Sequence, residues 1–176
     1  MIKILYQIFR TGIVTEPLPQ EIPAEVAAIG VELKAEIWKH FNRSLTIRQV
    51  DAGSCNGCEL EIHAMNNAIY NCEKFGIHFT ASPRFADVLL VTGPVTHNME
   101  IALKRTYNST PSPKLVIAVG DCGCNGGIFG ETYASLGGID KVIPVDFVIP
   151  GCPPTPTDLL LGLLQLMDKM GGKGRR

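Results

Sequence analysis

The chain has 176 residues, of which 45% are hydrophobic and 19% charged, and its 16 lysines and arginines nearly balance its 17 aspartates and glutamates. This length suits one domain with a sizeable core. The balanced charge argues against nucleic-acid partners, because a phosphate backbone is bound by a surplus of lysine and arginine on one face. Charged residues fall below the roughly 25% usual in soluble domains, so we expect part of the surface to be covered by a partner.

Residues 1–44 are predicted to form an N-terminal helical arm. Apolar residues at positions 4, 5, 8 and 9 share one helix face, three prolines follow, and a second helical pattern runs over 24–41. Lys3 and Arg10 interrupt the first segment and no small-residue cleavage site follows it, so we do not expect a signal peptide. No apolar run reaches the length of a membrane span. The arm is predicted to dock on a partner subunit or on a membrane surface.

From residue 45 to 170, short apolar runs alternate with helical patterns, which is typical of a parallel sheet with helices on its faces. The predicted strands are 46–50, 76–80, 88–92, 115–119 and 147–149, and the predicted helices are 59–73, 99–108 and 157–170. The runs VLLV and LVIAV indicate central strands that are buried on both sides. The glycine-rich residues 171–176 are predicted to form a basic tail.

Six cysteines in a chain of this size, with no secretory leader, indicate metal or redox chemistry rather than a disulfide framework. Cys55 and Cys58 follow the first predicted strand, Cys122 follows the LVIAV strand and Cys152 follows the FVI strand, all in predicted loops. Because ligands of parallel sheets gather at the carboxyl ends of the strands, these four thiols are expected to converge.

Four thiolates bind either zinc or an iron–sulfur cluster. Structural zinc sites usually close two short local knuckles, whereas these ligands are distributed over a domain with its own core, which favours a cluster. Cys124 is an alternative to Cys122 as the third ligand. Cys72 is expected to be a small buried residue without a functional role.

Four motifs carry a resemblance to a known family. They are GSCNGCELEI at 53–62, SPRFADVLLVTGPVT at 82–96, GDCGCNGGIFG at 120–130 and VIPGCPPTP at 148–156. In this order they resemble the small subunit of [NiFe]-hydrogenases and the related cluster-bearing subunit of respiratory complex I. The resemblance implies a flavodoxin-like, doubly wound, mainly parallel sheet over 45–170, with one [4Fe–4S] cluster bound by Cys55, Cys58, Cys122 and Cys152.

The C-x-x-C spacing of the first motif resembles the spacing in hydrogenases, whereas complex I relatives have two adjacent cysteines there. Because no further ligands follow Cys152, the chain is most similar to the small subunit of energy-converting, membrane-bound hydrogenases, including the formate hydrogenlyase and carbon-monoxide-linked types. The resemblance implies a non-catalytic subunit whose proximal cluster passes electrons. The implied partners are a large [NiFe] catalytic subunit, a ferredoxin-like iron–sulfur subunit and complex-I-like membrane subunits, at the cytoplasmic face of the cell membrane.

Glu61 and Arg84 are candidates for the subunit interface, and Glu61 is also a candidate proton relay, because complex I relatives carry a glutamate there. The simpler alternatives are a favourable helix-dipole contact for Glu61 and an ordinary surface position for Arg84.

Two other functions stay open. One is the cluster subunit of a complex-I-like quinone or sulfur-compound oxidoreductase, and the other is a flavodoxin-like binding module with structural zinc. The second is disfavoured by cysteines where a phosphate-binding loop prefers Ser, Thr or Gly.

Overall fold

The computed structural model describes residues 2–12 and 24–173. Its five strands are β1 (Leu45–Asp51), β2 (Ile77–Phe79), β3 (Val88–Thr92), β4 (Leu115–Val119) and β5 (Phe147–Ile149). All neighbouring strands pair in parallel, in the order β2-β1-β3-β4-β5. This is the strand order of flavodoxin-like, doubly wound sheets, so the predicted fold class is confirmed.

Within the described ranges, six α-helices accompany the sheet: α1 (Ile2–Thr11), α2 (Ala24–Phe41), α3 (Gly57–Ala64), α4 (His97–Ser109), α5 (Gly120–Asn125) and α6 (Pro156–Lys173). A capping box starts α6, in which Asp158 accepts hydrogen bonds from the Thr155 backbone N–H and hydroxyl, and the Asp158 N–H donates back to that hydroxyl. The helix continues three residues past the predicted end at 170. The last residues of the predicted basic tail, 174–176, lie outside the described residues, as do the three prolines of the predicted arm.

Two apolar layers cover the two faces of the sheet. Helices α2, α3 and α6 pack on one face, against side chains such as Val88 and Leu90 of β3. Helix α4 and the segment 139–143 pack on the other face, against Leu89 and Val91. Because alternate residues of a strand point to opposite faces, a strand buried on both sides must be apolar throughout. This explains the apolar run over the first four residues of β3; its last residue, Thr92, is also buried, and its hydroxyl donates to the Val50 carbonyl.

Helix α2, which falls within the predicted arm, packs against the sheet domain. Val26, Leu33 and Ile37 of this helix are at most 3% exposed and belong to the same apolar layer as α6. The apolar residues that recur along α2 therefore pack in the core of this domain. Helix α1, in contrast, has no buried residue.

The predicted helix over 59–73 is wrong in its second half, because α3 ends at Ala64. The side-chain oxygen of Asn67 accepts hydrogen bonds from the backbone N–H groups of Ile69 and Tyr70, at 2.8 and 2.9 Å. Such local side-chain bonds compete with helical hydrogen bonding. Among the helices of residues 2–12 and 24–173, none has the length and hydropathy needed to cross a bilayer.

Candidate iron–sulfur site

The first cysteine loop leaves β1 in a tight turn. Asp51, the last residue of β1, accepts hydrogen bonds from the backbone N–H groups of Gly53 and Ser54 at 2.7 and 2.8 Å. The following loop carries Cys55, and Cys58 lies in the first turn of α3. Gly93, just beyond β3, allows this loop to approach closely, since a Cβ there would lie 2.7 Å from the Ser54 Cα. The turn after β1 is thus packed against the end of β3.

The loops that carry the other two cysteines are bonded to each other. The backbone N–H of Asp121 donates to the Gly151 carbonyl, and the Gly151 N–H donates to the Asp121 carboxylate, both at 2.9 Å. Each bonded residue directly precedes a cysteine, so the pair holds Cys122 and Cys152 next to each other. Sequence reasoning missed this role of Asp121, although an acidic residue directly before a cysteine at a strand end was a visible signal.

All four predicted ligands line one cavity of about 40 Å³ at the carboxyl ends of β1, β4 and β5. The remaining lining residues are Ser54, Gly57, Gly93, Asp121, Gly151 and Pro153. The walls are almost entirely carbon and sulfur. Three segments that are far apart in the sequence therefore present their thiols to a common space, as the strand-end argument predicts.

Two of these cysteines lie on helices, whereas the sequence placed all four in loops. Cys58 belongs to α3 and Cys122 to α5, a short helix that was not predicted. Helix α5 contains two glycines among six residues, a composition with low helix propensity. It forms at the end of β4, where the Asp121–Gly151 hydrogen bonds fix its first turn.

Two of the four thiols have a raised pKa. Burial, followed by the charges of Glu59, Cys122, Cys55 and Cys152, raises the pKa of Cys58 to about 12. Burial also raises the pKa of Cys122, with contributions from Cys152, Cys55 and Asp121. The thiols of Cys58 and Cys122 are therefore protonated at neutral pH when no metal is bound, and a bound cation would have to displace their protons.

The donor set suits a soft metal centre. Thiolates bind zinc and iron–sulfur clusters, whereas magnesium and calcium take oxygen ligands, and little oxygen faces this cavity. Among the described side chains, no three His, Cys, Asp or Glu residues are arranged to hold a single metal ion.

The other two cysteines lie elsewhere. Cys124 lines a different cavity, beside Asp140 and Lys169, and burial raises its pKa to about 11. The Cys72 thiol is fully buried in the core and donates to the side-chain oxygen of Asn66 at 2.9 Å.

The acidic and basic candidates also lie outside the cavity. Glu61 is partly buried on α3, and Arg84 is exposed in a short turn that precedes β3. The five residues of β3, about 16 Å of strand, separate that turn from the edge where the cysteines lie. Glu59, also on α3, is 5% exposed, and among the described residues neither of its carboxylate oxygens has a hydrogen-bond partner.

The raised thiol pKa values predict an order of alkylation in the metal-free chain. Thiolate is the reactive form, and a pKa of about 12 leaves Cys58 about one part in ten thousand ionised at pH 8. We expect iodoacetamide to modify the exposed Cys55 and Cys152 well before Cys58, with the rate at Cys58 rising about tenfold per pH unit below its pKa. Peptide mass spectrometry over time measures this order. Modification of Cys58 as fast as Cys152 at pH 8 would contradict it.

Comparison with known proteins places the site in a family. The model of the family described as NADH ubiquinone oxidoreductase, 20 Kd subunit, matches residues 55–166, a range that contains all four cysteines of the cavity. The chain belongs to this family. It is therefore a member of a family of oxidoreductase subunits, and the resemblance inferred from the four motifs is confirmed.

Individual relatives include subunits of a formate hydrogenlyase and a membrane-bound hydrogenase and a chain of a sulfane sulfur reductase structure. The chain is 45% identical over 157 residues to formate hydrogenlyase subunit 7 of Escherichia coli K12, which covers 89% of this chain and 60% of that protein. It is 43% identical over 136 residues to a probable membrane-bound hydrogenase subunit of Pyrococcus furiosus, covering 77% and 81% of the two chains. A chain in the structure of an archaeal membrane-bound sulfane sulfur reductase matches with a TM-score of 0.66 and 36% identity, covering 79% and 76%.

Proposed function

We propose that this chain is the electron-transfer subunit of a membrane-associated [NiFe]-hydrogenase complex and that it holds the proximal [4Fe–4S] cluster. The observation that carries the proposal is the common cavity of Cys55, Cys58, Cys122 and Cys152. It occurs in a chain 45% identical to a subunit of formate hydrogenlyase, and its first two cysteines have the C-x-x-C spacing that resembles hydrogenases.

Such a cluster would accept and release single electrons. The cavity itself supports a role without bond chemistry, because its lining residues supply no free general acid or base. Asp121 is the acidic residue among them, and its carboxylate accepts the Gly151 N–H. This chain would fix the position of the thiolates through Asp51 and Asp121, which hold the loops.

The surroundings of the cavity support a partner on the same edge. Leu60, two residues after Cys58, is 62% exposed, and Ile128 and Phe129, which follow α5, are 90% and 46% exposed. Apolar side chains of this size are commonly covered in an assembly. We place the large catalytic subunit on this edge of the sheet. A ferredoxin-like iron–sulfur subunit would be the second electron partner, and complex-I-like membrane subunits would complete the assembly. The complex would lie at the cytoplasmic face of the membrane.

Glu61 stays a proposal as a residue of the subunit interface and a proton relay. It is partly buried on α3, one turn after Cys58, which supports a position near that interface. For Arg84, the exposed turn before β3 supports a contact with a partner away from the cysteine edge.

Metal analysis and electron paramagnetic resonance test the proposed cofactor. The chain purified without oxygen should contain about four iron and four sulfide per molecule and should give a signal after reduction with dithionite. The complex that contains it should reduce viologen dyes with hydrogen. Zinc in place of iron would refute the cluster and support the binding module with structural zinc. Iron and sulfide without any hydrogen-dependent activity would leave the cluster in place and refute the hydrogenase assignment.

A second candidate function is the cluster subunit of a complex-I-like oxidoreductase that acts on a quinone or a sulfur compound. The 36% identity to a chain of a sulfane sulfur reductase and the family's own description favour it. Nickel content separates the two candidates, since nickel in the purified complex would support the hydrogenase. Reduction of a quinone or a sulfane by a complex that lacks nickel would support the alternative.

A further inference from the structure

Helix α1 presents a broad apolar face that the described part of the chain does not cover. Its apolar residues are Ile2, Ile4, Leu5, Tyr6, Ile8 and Phe9, and each is between 54% and 86% exposed. At about 100° per residue, these six side chains occupy one continuous side of the helix. An exposed apolar surface of this kind marks an interaction site.

The opposite side of α1 is basic. Lys3, Gln7 and Arg10 follow one another at spacings of four and three residues, so they form one polar stripe. The helix contains two cations and no acidic residue. Its charge is therefore complementary to a negatively charged surface.

We propose that α1 lies in the interface of an anionic phospholipid bilayer. A helix with an apolar face and a lysine- and arginine-bearing polar face binds in this plane, with its apolar side about 5–10 Å deep. Lys3 and Arg10 would contact lipid phosphates, each adding attraction to an anionic leaflet. Tyr6 borders the polar stripe, where the amphipathic ring of tyrosine is favoured at membrane interfaces. The proposal adds a direct lipid contact to a chain whose proposed function requires only association with partner subunits.

Vesicle flotation with the full cluster-containing chain tests this contact. The protein should float with phosphatidylcholine vesicles that contain phosphatidylglycerol and should bind weakly to pure phosphatidylcholine. In 1 M salt, where the Debye length is about 3 Å, the difference should vanish. The double variant Lys3→Glu/Arg10→Glu should lower the bound fraction about tenfold or more, given about 1 kcal/mol for each basic residue near an anionic surface. Leu5→Gln/Phe9→Gln should abolish binding to both lipids.

Two matched variants control for net charge and for surface hydropathy. Lys74→Glu/Arg105→Glu makes the same charge change at exposed positions elsewhere, and Phe85→Gln/Ile101→Gln removes two exposed apolar side chains outside α1. Both should bind vesicles within twofold of the unmodified chain. Because no residue of α1 is buried, its variants should also keep their thermal unfolding midpoint.

Several results would overturn the lipid contact. They are equal binding to neutral and anionic vesicles, equal losses in the control variants, and no vesicle binding by the intact chain. If the intact chain fails to float and Leu5→Gln/Phe9→Gln instead weakens its incorporation into the complex, α1 docks on protein. Iron content of the same samples reports separately on the proposed cofactor, so its loss and the loss of lipid binding are distinguishable.

Discussion

Replacing Cys122 by serine is expected to abolish the proposed cluster. A serine hydroxyl is a poor replacement for a thiolate as a ligand of iron, and Cys122 is the one cysteine that α5 contributes to the common cavity. Iron should fall from about four atoms per chain to less than one, and the paramagnetic signal of the reduced protein should disappear. The fold should persist, because Cys122 does not belong to either apolar layer.

Cys124→Ser is the matched control, since it makes the same chemical change two residues away on the same short helix. Cys124 lines the neighbouring cavity beside Asp140, so this variant should keep its iron, its sulfide and its spectrum. Loss of the cluster in Cys124→Ser, with retention in Cys122→Ser, would show that the third ligand is Cys124. Cys152→Ser should behave like Cys122→Ser, and Cys72→Ser should keep the cluster.

Gly120→Ala is expected to damage both the site and the stability of the chain. Gly120 has φ +78°, a conformation that costs a residue with a side chain about 1–2 kcal/mol. Its new Cβ would also lie 2.6 Å from the Cys58 Sγ and 3.3 Å from the Gly151 carbonyl oxygen. Because both neighbours belong to the cavity, we expect the Cys58 thiol to be displaced and most of the iron to be lost. Metal analysis and a thermal unfolding curve measure the two effects.

Gly130→Ala is the control variant, because it separates the cost of a positive φ from the steric contact with Cys58. Gly130 also has a positive φ, +55°, but a Cβ there would have no neighbour within 4 Å. It should lower the unfolding midpoint by several degrees, as about 1–2 kcal/mol does for a chain of this size, and it should keep its iron. Full iron in Gly120→Ala, or equal iron loss in both variants, would argue against close packing around Cys58 as the cause.

The central strands could be predicted because their sequence pattern has one dominant cause. Residues 88–92 and 115–119 were predicted to be strands and have these bounds in the structure. Burial on both faces requires apolar residues throughout, which makes such strands visible without any knowledge of the rest of the fold. The end of α3 was missed because side-chain hydrogen bonds of Asn67, rather than periodicity, decide it.

In the cavity, too, some features follow from the local sequence, and others depend on contacts between residues far apart in the chain. The convergence of Cys55, Cys58, Cys122 and Cys152 follows from the parallel sheet and from their positions after strands. The choice between Cys122 and Cys124 depends on how α5 is oriented. That orientation is fixed by Asp121 and Gly151, 30 residues apart. The local pattern shows an acidic residue before Cys122, but it does not show that the partner of Asp121 is Gly151.

The distances along the chain between the cavity cysteines have a consequence for maturation. Cys58 and Cys122 are brought together only when β1, β3 and β4 have paired, and Cys152 joins them only through β5, the outermost strand on that side. A nascent polypeptide therefore has no complete set of thiols to offer before its last strand is in place. If the proposed cluster is bound there, its insertion would have to follow synthesis of the whole sheet rather than accompany it.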